Sequence, residues 1–71
     1  MKAEIKGENL LVFCTTFKEQ ERFLENNRIT CRWDGGAFEW KEYIGIRTYG
    51  DKTGKLVFWF KPEHLPELKF N

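Results

Sequence analysis

Residues 43–61, YIGIRTYGDKTGKLVFWFK, constrain the chain most, because two alternating runs flank the loop Gly50-Asp51-Lys52-Thr53-Gly54. Alternation on both sides of a glycine-bounded five-residue loop is the pattern of a β-hairpin. With Tyr49 paired to Lys55, Thr48 stands opposite Leu56, Ile46 opposite Phe58 and Ile44 opposite Phe60, all pointing one way. That face is expected to be the core. The other face then carries Tyr43 opposite Lys61, Gly45 opposite Trp59, Arg47 opposite Val57 and Tyr49 opposite Lys55. Its mixture of aromatic and cationic side chains makes it the candidate functional surface.

A chain of 71 residues has room for one domain, residues 1–71, and buries a smaller share of its surface than a larger protein does. Its core must therefore come from large side chains. Seven Phe, three Trp and two Tyr supply them, each buried ring removing roughly 150 to 250 Å² from water.

The remaining chain reads in order as strands around one helix. Residues 2–6 alternate, Gly7-Glu8-Asn9 is a turn signal, and residues 10–14 are apolar on both faces, as expected of a strand inside a sheet. Thr16 precedes Glu19 by three residues, a capping box that opens a helix over residues 16–27 with Phe17, Phe23 and Leu24 turned inward. Asn26-Asn27 suits a left-handed exit. Residues 29–33 form the next strand, Asp34-Gly35 a turn, and residues 37–40 an edge strand with Phe38 and Trp40 on one face. Pro62 and Pro66 limit the segment after the last strand to one helical turn over residues 62–65. The expected fold class is α+β: a small antiparallel sheet, β-β-α-β-β-β-β, with one helix packed on one face. The expected buried set is Val12, Phe17, Phe23, Leu24, Ile44, Ile46, Phe58 and Phe60.

Chemistry is constrained by what is missing. The sequence has no Ser and a single His, His64, in a proline-flanked turn that reads as solvated surface, so nucleophilic triads have no material. Asp34 and Asp51 sit in turns that favour Asp for local hydrogen bonding. Neither Gly35-Gly36 nor the loop at 50–54 matches a phosphate-binding spacing. Cys14 and Cys31 lack CxxC spacing, so no metal site and no cofactor is expected, and both read as free thiols of a reducing cytoplasm. No run of 18 apolar residues is present, and no membrane partner is expected. Residues 28–61 hold seven Lys or Arg against four Asp or Glu, milder than the footprint of a dedicated nucleic-acid binder.

The segment ENLLVFCTTFKEQERFLENNRITCRWDGG, residues 8–36, resembles a pattern common in small phage and prophage accessory proteins. In these a strand leads to a Thr-x-x-x-Gln helix and then to an aromatic strand ending in Trp and Gly. The chain departs in placing Asn26-Asn27 where Gly commonly ends the helix, and the resemblance transfers no functional residue. The closing GKLVFWFKPEHLPEL is similar to the last strand and exit turn of small SH3-like barrels, which makes such a barrel the alternative fold.

Together these features point to a non-catalytic cytoplasmic binding protein. The resemblance implies a phage accessory factor that binds and modulates a host protein. Its expected contact residues are Trp59, Arg47, Tyr43, Tyr49, Lys55 and Lys61, because exposed Trp, Tyr and Arg concentrate binding energy. Self-association through the same surface is equally allowed. The alternative is a single-stranded nucleic-acid-binding module, which would use the same aromatic and basic set for stacking and phosphate contact.

Overall fold

The structure, a computed structural model, describes residues 1–32, 36–49 and 56–70, the side chain of Tyr49 excepted. Among the described residues, six strands and one helix follow in the order β1 (Lys2–Lys6), β2 (Asn9–Phe13), α1 (Phe17–Asn27), β3 (Thr30–Cys31), β4 (Ala37–Trp40), β5 (Tyr43–Tyr49) and β6 (Leu56–Phe60). A 3-10 helix, Pro62–Glu67, closes the chain. The strands pair antiparallel, in the spatial order β1-β2-β6-β5-β4-β3. The expected α+β arrangement is therefore present. The SH3-like barrel is not, since β1 and β3 stand at opposite edges and the sheet stays open.

Local chemistry explains the element boundaries. Gly7, at φ 62°, makes the two-residue turn that pairs Lys6 with Asn9. Thr16 caps α1 by accepting from the Glu19 amide at 3.1 Å, and the Glu19 carboxylate reaches back to the hydroxyl and amide of Thr15. The helix ends one residue later than expected, at Arg28 with φ 54°. The Arg28 amide donates to the Glu25 carbonyl and the Ile29 amide to the Leu24 carbonyl, a Schellman closure. Asn27 stays helical because its buried side chain is used elsewhere: Nδ2 donates to the carbonyls of Phe23 and Lys69, and Oδ1 accepts from the Lys69 amide. The two bonds to Lys69 pin the tail, placing Leu68 in the core and Phe70 5.9 Å from the Phe23 ring. The 3-10 helix is longer than the single turn expected and runs through Pro66, which only removes a donor.

The core lies between α1 and one face of the sheet. Leu10, Val12 and Cys14 meet Phe58 and Phe60 from the neighbouring strand, Phe38 and Trp40 from β4, and Phe23 from the helix. Phe38 and Phe60 stand 4.9 Å apart, and Phe58 lies 5.3 Å from Phe23 and 5.5 Å from Phe38. Burial pushes the Cys14 thiol up to about 11, with the Glu19 charge adding to the shift. Both cysteines are thiols rather than halves of a disulfide.

Three further expectations fail. The hairpin register is shifted by one residue: Ile46 pairs with Trp59, Arg47 with Phe58, Thr48 with Val57 and Tyr49 with Leu56. A one-residue slip turns a strand over, so Ile44 and Ile46 are 57% and 56% exposed while Gly45 and Arg47 are buried. The cause is the two-residue turn Lys41-Glu42, which sets Trp40 opposite Tyr43 and Phe38 opposite Gly45. Directly opposed residues share a face, so inward Phe38 and Trp40 force Tyr43, Gly45 and Arg47 inward, and the missing side chain of Gly45 makes room for the Phe38 ring. Secondly, Phe17 is 78% exposed, since it opens the helix about 100° away from the line through Phe23 and Asn27. Thirdly, β4 is no edge strand, being paired on both sides by β3 and β5. Val12, Phe23, Phe58 and Phe60 are buried as expected, and Leu24 is half-buried against them.

Candidate functional site: the uncovered face of the sheet

The helix covers one face of the sheet, and alternation sends every second side chain to the other. On β2 these are Leu11 and Phe13, on β6 Val57 and Trp59, and on β5 Ile44, Ile46 and Thr48. Register aligns them in rows across the strands. One row is Glu4, Leu11, Trp59, Ile46 and Ala37. On one side of it lie Lys2, Phe13, Val57 and Thr48, and on the other Lys6 beside Asn9 and Ile44 beside Glu39 beside Thr30.

The face has relief. A groove of about 310 Å³ runs over β2, floored by Leu11, Phe13 and Val57 and walled by Glu4 and Lys6 on one side and Trp59 on the other. The Trp59 indole is half-buried and donates from Nε1 to Thr48 Oγ1 at 3.1 Å, which lays it across β5. Beyond it Ile44 and Ile46 rise as a ridge. Charge is balanced around this apolar centre: Lys2 pairs with Glu4 at 2.8 Å and Arg32 pairs with Glu39. The Lys2 hydrogen bond holds the Glu4 carboxyl below the usual range.

Of the six residues expected to form one patch, the four whose side chains are described do not gather on one face. Trp59 lies on the uncovered face. Arg47, 5% exposed, lies on the helix side, where Nη1 donates to Cys31 Sγ at 3.3 Å and its backbone amide to the Gly36 carbonyl at 3.0 Å. Tyr43 is half-buried on that side too, its hydroxyl donating to the Trp59 carbonyl at 3.2 Å while burial raises its pKa. Lys61 sits beside it, with Nζ 5.6 Å from the Tyr43 ring. Tyr49 enters as backbone opposite Leu56. Lys55 falls outside the described residues, as do Trp33, Asp34, Asp51 and the loop at 50–54.

Tyr43 and Lys61 join a second hollow, of about 240 Å³, at the end of the sheet on the helix side. There His64, expected on the surface, is half-buried, its ring 4.7 Å from Tyr43 and 5.2 Å from Trp40, with Nδ1 accepting from the Lys61 amide at 3.3 Å. Its cations are already engaged, because Lys41 lies 4.7 Å from the Trp40 ring and 2.6 Å from Glu67.

No family model matches this chain, and no curated protein or solved structure matches it either.

The sheet face turned away from the helix is apolar: Ile44 and Ile46 stand exposed on it, Leu11 and Val57 are themselves buried at 8% and 1% exposure, and the groove floor of Leu11, Phe13 and Val57 offers no reactive group. Among the described residues no three His, Cys, Asp or Glu side chains gather to hold a metal ion, and no helix is long and apolar enough to cross a membrane. Sequence reasoning overlooked Ile44 and Ile46 as exposed residues because both read as core. The available signal was the continuous apolar run of β2, which points Leu11 and Phe13 away from the helix while Leu10 and Val12 face it.

Proposed function

We propose that this chain is a non-catalytic, cytoplasmic binding protein whose contact surface is the uncovered face of the sheet. The observation that carries this is the pair Ile44 and Ile46, each more than half exposed beside an apolar groove. Contiguous exposed apolar surface rimmed by charge is the usual mark of a protein-binding site. The resemblance to phage accessory proteins adds that a host protein would be a natural partner. Charge argues against single-stranded nucleic acid: Arg47 and Tyr43 do not share the face of Trp59, the Lys61 ammonium lies over the Tyr43 ring, and Lys2 and Arg32 are paired with carboxylates.

Affinity capture from host lysate tests the reading. Wild type is compared with Ile46→Lys, and with Arg22→Glu on the exposed side of α1 as a control, each first shown to be folded by circular dichroism. Wild type and the helix variant should recover the same protein, and Ile46→Lys should lose it. Equal recovery by all three would remove this face as the contact surface, and recovery of nucleic acid alone would reinstate the alternative.

A further inference from the structure

We infer that the uncovered face docks onto the same face of a second copy of this chain, across a two-fold axis running along β6. This rests on the reading of that face as a protein-binding surface and names its partner.

The features of the face are placed symmetrically about β6. In the order β1-β2-β6-β5-β4-β3, the groove lies over β2 on one side of β6, and the ridge of Ile44 and Ile46 stands on β5 on the other. Consider two sheets facing each other about 10 Å apart. A half-turn about an axis parallel to β6 and midway between them exchanges β2 with β5 and β1 with β4, and leaves heights along the strands unchanged. The register then decides which residues meet. Leu11 and Ile46 are level, both in the row of Trp59, so Ile46 of one copy enters the groove over Leu11 of the other.

The next row brings the charges together. Lys6 is level with Asn9, two residues along from the Glu4–Leu11 pair. Glu39 is level with Ile44, two residues along from Ala37 and Ile46 in the same direction. Lys6 of one copy therefore stands over Glu39 of the other. Among the described residues Lys6 makes no ion pair, and Glu39 holds only the Arg32 cation. Each contact occurs twice, as an isologous interface requires. The other in-plane axis, across the strands, would stack β1 on β1 with lysine near lysine and ridge on ridge, leaving both grooves empty.

Size sets the expected strength. The five strands that overlap, β1, β2, β6, β5 and β4, about 4.8 Å apart and on average about five residues long at about 3.3 Å each, present a flat area of about 400 Å². Two such faces with their side-chain relief bury about 1,000 Å² in total, the lower end for specific association. A concentration-dependent dimer is the result.

Sedimentation equilibrium on the purified protein tests this, from micromolar to near-millimolar concentration. Wild type should shift from monomer to dimer, and Ile46→Lys should dimerise at least about tenfold more weakly. Lys6→Glu alone sets two carboxylates against each other across the interface, and Glu39→Lys alone sets two ammonium groups against each other, so each variant should stay monomeric. Mixed one to one they should dimerise, because both symmetry-related contacts regain opposite charges. In addition, a photo-crosslinking residue at position 46 should attach to residues 9–13 of the other copy, a readout that does not depend on Glu39→Lys folding. A monomeric wild type, a mixture no more associated than its components, or attachment elsewhere would overturn the inference. If wild type is monomeric while Ile46→Lys still abolishes capture of another protein, the binding function stands and only its partner changes.

Discussion

Removing the Asn27 side chain should unfasten the C-terminal tail, with a cost large for so small a domain. Asn27 is 7% exposed and bonds both backbone groups of Lys69, at 2.7 Å each. Asn27→Ala deletes both bonds, at about 1 kcal/mol each net. It also loosens Leu68 and Phe70, so a total of about 2 to 3 kcal/mol is expected. A 71-residue domain commonly has about 4 to 10 kcal/mol in all. Urea unfolding followed by tryptophan fluorescence should show a midpoint lowered by about 2 to 3 M, for a slope near 1 kcal/mol/M. Asn27→Asp supplies the sharper test. A carboxylate there still accepts from the Lys69 amide but faces the Phe23 and Lys69 carbonyls, which favour its protonated, donating form. Its folded pKa is then raised, the native state binds more protons than the unfolded one, and stability should rise as pH falls through that value. A loss below about 0.5 kcal/mol for Asn27→Ala, together with an Asn27→Asp protein whose stability does not rise on acidification, would refute this account of the tail.

Gly45→Ala should be among the most damaging single-methyl changes available, because the new Cβ would sit no more than 2.8 Å from three atoms of the fully buried Phe38 ring. A loss of about 3 kcal/mol is expected in the same urea assay, and near-wild-type stability would contradict the packing. Arg28→Gly should stabilise by about 0.5 to 1 kcal/mol by relieving the left-handed residue that closes α1, read as a raised thermal midpoint. Glu19 is held down to about 2, first by the Thr15 hydroxyl and then by the Met1 ammonium. A depressed acid stabilises fully above its unfolded value near 4.5 and loses that contribution as pH falls toward 2. Midpoints measured between those limits should therefore fall more steeply for wild type than for Glu19→Gln, and parallel slopes would rule the effect out.

The features legible beforehand were those decided within a few residues. Thr16 and Glu19 announce a helix start through a bond they make themselves, and Leu10 to Cys14, apolar on both faces, announces an inner strand. The phase of β5 is different in kind. Its two alternate sets, Tyr43-Gly45-Arg47 and Ile44-Ile46-Thr48, compete, and average hydrophobicity favours turning the isoleucines inward. The choice is made from outside the strand, by Phe38 and Trp40 acting through a turn whose residues, Lys41 and Glu42, carry no turn signature; Lys41 adopts φ 55° without being glycine. The candidate surface followed the same error. Once β5 is turned over, the cationic and aromatic residues leave the Trp59 face and the isoleucines take their place.

The position of β6 has a consequence for how the domain is made. It pairs with β2 on one side and β5 on the other, so among the described residues it alone joins the β1-β2 hairpin to the β3-β4-β5 meander within the sheet. Of those strands it is also the last to leave the ribosome. Until it emerges, the two halves are tethered through α1 but share no ladder, and β2 and β5 each present an unpaired edge that β6 will later fill. Such transiently open edges are where nascent chains misassociate. Pairing β6 with β2 therefore closes a long sequence separation only after the rest of the sheet has emerged, and translation pauses before Leu56 should raise aggregation more than pauses after Phe60.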